Sequence, residues 1–344
     1  MKTSTKFLLL VLISAAVLLL SVGVGSVFLS PGSIFTILGN RLFGIPLPEG
    51  MNPNHPSILL DVRLPRVFCA FLVGAALSVS GAVMQSVLQN PLASSYTLGV
   101  SSGAALGVAV LIVTGYTLPL IGPFTQPLVG FVFGLGTVVF AIGLAGRIDK
   151  GLNNQTVVLT GMVISLFANA LMTLISSLNK EYIQRLALWQ MGSFSARGWF
   201  HAAVLAAVTI PGVLVLLRFS RELDALTFGE VQSRALGINV EAVKWGLIVL
   251  ASLLTGVSVC FTGVIGFVDL VSPHLMRRVF GPAHKKVLPA SALFGGAFLA
   301  LSDTLARTLP ESGEISVGAI TALIGAPFFA YVFFRSRKKK GAAA

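Results

Sequence analysis

The sequence predicts an all-α polytopic membrane protein of about ten transmembrane helices, and three observations carry that reading. Of 344 residues, 55% are hydrophobic and only 10% charged, whereas ordinary soluble domains are roughly one quarter charged. The mean hydropathy is +0.90. The apolar residues also fall into runs close to the length needed to cross a hydrocarbon core, about 20 residues each. Ten such runs leave short loops and no room for a separate soluble domain, so residues 1–344 read as a single transmembrane domain. A soluble globule and a disordered chain are both excluded.

Apolar runs read against Gly and Pro breakers place the spans near 7–29, 64–88, 97–115, 124–146, 156–178, 199–217, 244–262, 263–279, 289–308 and 316–334. The first, from Phe7 to Leu29 behind Lys2 and Lys6, exceeds the hydrophobic core of a secretory signal and lacks a clear cleavage site, so it is expected to be retained. The third carries Gly99, Gly103 and Gly107 at four-residue intervals, and the fourth repeats the spacing with Gly130 and Gly134. Such intervals let helix backbones approach closely in lipid. The eighth is barely long enough to cross and holds Gly263, Gly266 and Pro273. Ser272 before Pro273 reads as an N-cap with proline at the first helical position. This span is therefore expected to be broken, which membranes tolerate only where protein or a water cavity satisfies the freed backbone.

The formal net charge is +12, from 24 Lys and Arg against 12 Asp and Glu. In a soluble protein that balance points to nucleic acid, but in a polytopic one cations mark the cytoplasmic face. With the N-terminus inside, only Arg41, Arg63, Arg66, Lys180, Arg185, Arg197 and Arg307 lie outside, leaving 17 of the 24 inside. This favours an even number of spans, both termini cytoplasmic and no nucleic-acid partner. Cys69 and Cys260 sit in apolar runs without metal or redox spacing and read as small core residues.

The longest inner polar stretch lies between spans six and seven. Thr227 and Glu230 form a T-x-x-E capping-box pattern, Val231 to Leu236 continue a short helix, and Gly237 is placed to end it. Leu223, Leu226, Phe228, Val231 and Leu236 give it an apolar side, which either rests on its own bundle or docks a partner. Ionisable residues within spans are costly and so informative. Asp303 and Arg307 stand one helical turn apart and can neutralise each other. Asp269 lies in the broken span, either capping a helix start or facing a path. His274 has no second ligand at helical spacing, so no metal is assigned. Asp61, Arg63, Pro65 and Arg66 stand where the chain enters span two, anchoring to headgroups or pairing with carboxylates of an outside partner. No phosphate-binding G-x-x-x-x-G-K-[ST] loop, zinc-protease motif or nucleophile–base constellation is present, so no enzymatic activity is assigned to the chain.

Several strings together resemble the iron-chelate and cobalamin family of ABC importer permeases, the FecCD type. RLPRVFCAFLVGAALSVSGAVMQSVLQNPLASSYTLGVSSGAALG, from Arg63 to Gly107, carries the family's most recognisable block. LTFGEVQSRALGINV, GVIGFVDLVSPHLMRR, SDTLARTL and SVGAITALIGAPFF follow in the family's order. The resemblance implies the cobalamin-importer-like permease fold of type II ABC importers and a homodimer of ten-span subunits in the cytoplasmic (inner) membrane. It also implies two cytoplasmic ATPase subunits, which use ATP and Mg, and one extracytoplasmic substrate-binding protein. The chain itself would bind no cofactor. Coupling helices at about 220–240 would meet the ATPase through Leu223, Leu226, Phe228, Gly229, Glu230, Val231, Arg234, Leu236 and Gly237. Arg63, Arg66 and Arg307 match positions that pair with the binding protein, and Asn154 and Gln155 match the cytoplasmic gate. Asp269 departs from the family pattern G-F-[IV]-G-L, which has glycine there. A ferric siderophore heads the implied substrates, followed by haem, cobalamin and molybdate or tungstate. The alternative is an ion- or proton-coupled secondary transporter with Asp269, His274, Asp303 and Arg307 as its relay.

Overall fold

The computed structural model describes residues 2–310 and 313–341, with side chains described through Tyr331. Arg335, Arg337 and Lys338 to Lys340, counted above as inner cations, have side chains outside the described set. Among the described residues helices dominate and no strand occurs. Helix α1 (Thr3–Gly23) leads to α2 (Pro31–Phe43), the single turn α3 (His55–Ser57) and a wide-turn segment, Ile58–Arg63, that runs directly into α4 (Leu64–Val87). Next come α5 (Val100–Thr114), α6 (Thr125–Ile148), α7 (Asn154–Leu178), the short α8 (Ile183–Met191) and α9 (Trp199–Arg218). Two short helices, α10 (Ser220–Leu226) and α11 (Glu230–Ala235), precede α12 (Val240–Thr262), α13 (Val268–Phe280), α14 (His284–Thr308) and α15 (Val317–Gly341).

Each expected span has its helix. Among the described residues seven are long and apolar enough to cross a membrane. By contrast α5 has 15 residues and α13 has 13, and at 1.5 Å per residue α13 reaches only about 20 Å. Hydrogen bonds sort the helix ends into two groups. At the near end, where α1 begins, Lys6 donates to Val279 O, Gln89 to Leu226 O, Lys244 to Leu152 O, and Asp224 meets His284. At the far end Arg63 donates to Val22 O, Trp199 to Leu60 O, Arg66 to Glu314 and Ser316 to Met191 O.

Three expected boundaries move. The first span ends at Gly23 rather than near Leu29, because the chain then turns into α2, whose start is capped by the Ser30 side chain accepting from Ser33 N–H at 3.1 Å. Gly99 is not helical but precedes α5 with φ +98°. Ser272 is not an N-cap: α13 starts at Val268, so Pro273 lies inside the helix. A proline there cannot donate to the carbonyl four residues back, and that carbonyl, of Asp269, instead accepts from Gln85 Nε2 at 3.2 Å. The eighth span is broken as expected, with residues 263–266 outside any helix and Phe267 at φ +68°.

Helix α4 is the hub, with α9, α12, α13 and α14 packed around it. Small residues make this possible. A Cβ on Gly74 would lie 2.2 Å from Gly295 O, and one on Gly81 only 1.9 Å from Asp269 O. The α5–α6 pair uses the predicted glycines in the same way, with Gly103 against Phe133 O and Thr137, and Gly134 against Val100 O. Cys69 and Cys260 are buried free thiols. Gly81→Ala should therefore force α4 and α13 apart and destabilise by about 1–3 kcal/mol. Thermal unfolding in detergent checks this against Gly136→Ala, whose new Cβ would meet nothing within 4 Å.

Candidate functional site

The near end gathers the segments that the resemblance marks for coupling and gating. Gly229, at φ +115°, opens α11. Gly237, at φ +81°, ends it by donating to Arg234 O at 2.9 Å while Ile238 N–H reaches Ser233 O at 3.2 Å. A left-handed residue at this place is the usual helix stop. The expected capping box does not form. Thr227 Oγ1 donates to Asp224 O at 2.6 Å, and Glu230 is the first helical residue rather than the third. Its carboxylate turns to Lys244 Nζ at 2.8 Å and Arg234 at 3.8 Å, because a fully buried ammonium attracts it more strongly than an exposed amide.

The two readings of the apolar side divide between the two helices. Leu223 and Leu226 of α10 are 0% and 1% exposed, so α10 rests on its own bundle. Phe228, Val231 and Leu236 are 73%, 75% and 71% exposed, so α11 and its approach present an apolar face outward. Beneath α10 runs a polar chain that no single stretch of sequence discloses. Asp224 Oδ1 meets His284 Nδ1 at 2.6 Å, His284 Nε2 lies 2.6 Å from Ser86 Oγ, and Arg277 donates to Ser86, Ala82 O and Gln85.

Asn154 and Gln155 are the first two residues of α7, capped by the Asn153 side chain, which accepts from Gln155 N–H at 3.0 Å. With Leu88, Asn90, Val158 and Leu159 they line a groove of about 330 Å³. Further along α7, Ser165, Asn169 and Met172 line a second groove of about 260 Å³ with Tyr96, Ser102 and Gln190. Among the described residues no Asp, Glu, Lys, Arg or His side chain lines either groove.

At the far end the three expected docking arginines are not free. Arg63 is 3% exposed and closes the C-terminus of α1, donating to Val22 O at 3.1 Å and Gly23 O at 2.9 Å. Arg66 is 8% exposed and forks between two carboxylates, with Asp303 at 2.8 Å and Glu314 at 2.6 Å. Arg307 donates to Ser21 O and lies 3.7 Å from Asp303. The Asp303–Arg307 pair exists, but the main partner of Asp303 is Arg66, on another helix and 237 positions away. Exposed cations at this end are Arg41, Lys180 and Arg185.

Of the proposed ion relay, Asp303 and Arg307 are brought together and Asp269 stands apart from them. Asp269 is buried in the first turn of α13, where Ser94 Oγ donates to it. Its backbone packs on Gly81, whereas Asp303 pairs with Arg66, fifteen residues earlier on the same helix, or about 22 Å along its axis. Among the described residues no cluster of three metal-ligating side chains forms around His274 or elsewhere.

An apolar helical bundle with a buried polar seam, uncharged grooves and an outward-facing apolar turn at one end defines a membrane-embedded transport subunit. The chain belongs to the FecCD transport family, whose profile matches residues 10–335. It is 38% identical to the ABC transporter permease protein YvrB of Bacillus subtilis, over 94% of this chain and 92% of that one. It is 37% identical to the hemin transport system permease protein HmuU of Yersinia pestis, over 82% and 85%. A solved structure of an inward-facing metal-chelate type ABC transporter superposes with a TM-score of 0.83 at 29% identity, covering 96% of this chain and 99% of that one.

The Arg66 fork holds the Glu314 carboxyl below the usual carboxylate range. A depressed value means that the pair's contribution is present above the ordinary carboxylate range and lost as pH falls through the folded value. Replacing Arg66 also leaves Asp303 buried with a weaker partner. Arg66→Met should destabilise by about 3–5 kcal/mol at neutral pH. Thermal unfolding across pH 3 to 7 should show the wild-type loss on acidification shrink in Glu314→Gln, which has no carboxyl to protonate at this position.

Proposed function

We propose that the chain, over 1–344, is the permease subunit of an ATP-driven importer that moves an iron chelate, a ferric siderophore or haem, or a related metal compound such as cobalamin, into the cytoplasm. The observation that carries this reading is the division of labour at the near end. Leu223 and Leu226 fix α10 to the bundle, and Phe228, Val231 and Leu236 stand unpartnered beside it. Such an apolar knob beside an anchored helix suits a cytoplasmic ATPase, the subunit that would bind and hydrolyse ATP with Mg. The membership of a transport family and the likeness to haem and metal-chelate transporters support the substrate class.

In this reading the near end is cytoplasmic, and both termini lie there. A second copy covers α7, which buries only Val157, Thr160, Gly161 and Ala168 in the single chain. The two copies enclose a path walled by the Asn169 and Gln190 groove and closed toward the cytoplasm by Asn154 and Gln155. An uncharged wall holds no cargo tightly, so selectivity rests with an extracytoplasmic binding protein. That protein docks at the far end, where Arg41, Lys180 and Arg185 offer the exposed positive charge. Arg63, Arg66 and Arg307 act there by holding the shape of the surface.

Reconstitution tests the whole proposal. Uptake of a ferric siderophore or haem should require the ATPase subunits, ATP and the loaded binding protein together; uptake by the chain alone down an ion gradient would overturn it. Within the complex, Phe228→Asp and Val231→Asp should each weaken ATPase binding by about tenfold or more, read by titration of labelled ATPase. Their thermal stability should stay at the wild-type value because both side chains are exposed.

A further inference from the structure

Lys244 is 0% exposed, yet it lies in the second turn of α12 at the near end. A lysine is almost never buried this fully without partners. Its ammonium has three donors, and all three are taken: Glu230 Oε1 of α11 at 2.8 Å, Asn154 Oδ1 of α7 at 2.7 Å and Leu152 O of the α6–α7 turn at 2.5 Å. Leu152 is held at φ +50°, a conformation that leucine rarely adopts. A second tie runs to the other wall of the same groove. Gln89 sits between Leu88 and Asn90, both groove residues, and its Nε2 donates to Leu226 O at the end of α10 at 2.7 Å. Gln89 is also at φ +50°. Helix α11 buries only Ser233 in its own right, so it can shift without repacking an apolar core.

We propose that Lys244 and Gln89 are transmission side chains, through which displacement of α10 and α11 is imposed on the two segments that line the Asn90–Asn154–Gln155 groove. This rests on the importer reading and deepens it. Lys244 carries the larger share. Pulling Glu230 away from it would strand a buried cation, so helix and turn move together rather than separate. Leu152 and Gln89 both hold a left-handed conformation that is costly for a residue with a side chain, so each tie acts on a segment already under strain.

The test uses the complete transporter in proteoliposomes, carrying Leu159→Cys, at an exposed position in the same groove, as a reporter of groove access. The native Cys69 and Cys260 are buried and give little background. In the otherwise wild-type complex, ATP with vanadate should change the rate of maleimide labelling at the reporter by about fivefold or more, the lower range of measurable coupling between sites. In Lys244→Met the ATPase subunits should still bind and hydrolyse ATP. The labelling response should fall to less than about twofold, and substrate moved per ATP by about tenfold. Gln89→Leu, which leaves the Lys244 ion pair intact, should lose part of the response and guards against misfolding of the first variant. A full labelling response in a folded Lys244→Met complex would overturn the proposal, as would losses that follow only a drop in thermal stability or ATPase binding in both variants. Failure of the wild-type complex to assemble or transport would instead remove the importer reading, and the relay with it.

Discussion

A chain that breaks its helices inside a membrane must satisfy every carbonyl and amide that the break exposes, because the hydrocarbon offers no water to do so. That constraint accounts for several of the long polar side chains here. Arg63 takes the last carbonyls of α1, Lys6 takes Val279 O near the end of α13, and Gln85 takes the Asp269 carbonyl that Pro273 leaves without a donor. Arg277 takes Ala82 O and Lys244 takes Leu152 O. Long cationic side chains suit the task, since they reach a helix terminus from a neighbouring helix and complement its negative dipole end. Cations of the near and far ends thus serve topology and also close helix ends.

This second duty explains which parts of the sequence could be read. The ten spans were legible because apolar runs and glycine spacing are local signals, and Gly103 and Gly134 pack as their spacing implied. Gly237 was legible as a helix stop for the same reason. Failures arose where a local motif was outcompeted by a distant partner. The Thr227 and Glu230 pattern satisfied a capping box on paper, but Lys244, fourteen positions on, holds the carboxylate. The Ser272–Pro273 pair had the form of a helix start, yet Gln85 on α4 allows the proline to remain inside the helix. No signal in one sequence relates Gln85 to Asp269 or Arg66 to Asp303.

The three arginines are the most instructive case. Their position at the rim of the bundle was read correctly, since Arg63, Arg66 and Arg307 all lie at the far end. Their exposure was not. The reason lies in the carboxylates: Asp303 and Glu314 are close to Arg66, and the fork geometry of guanidinium binds both at once. A cation with two buried or half-buried anions gains more from them than from a headgroup in water, where a surface pair is worth little. Glu314 precedes α15 and Asp303 belongs to α14, so the fork also sets where the last helix begins relative to α4.

The two ends therefore differ in kind. At the far end Arg66 and Arg307 are held by Asp303 and Glu314, and that part of the surface is fixed. At the near end the ties are few and directional, with α10 anchored by leucines and α11 by two ion pairs to α12, Glu230–Lys244 and Arg234–Glu241, with one carbonyl and one amide on the same ammonium. Interfaces that move must be held by contacts that can exchange, and packed apolar cores do not deform continuously. An apolar face borne on a helix that lacks a core of its own, linked through Lys244 to the strained turn at Leu152, meets that requirement. In the importer reading the same bundle is rigid where a partner would be recognised and yielding where a path would open.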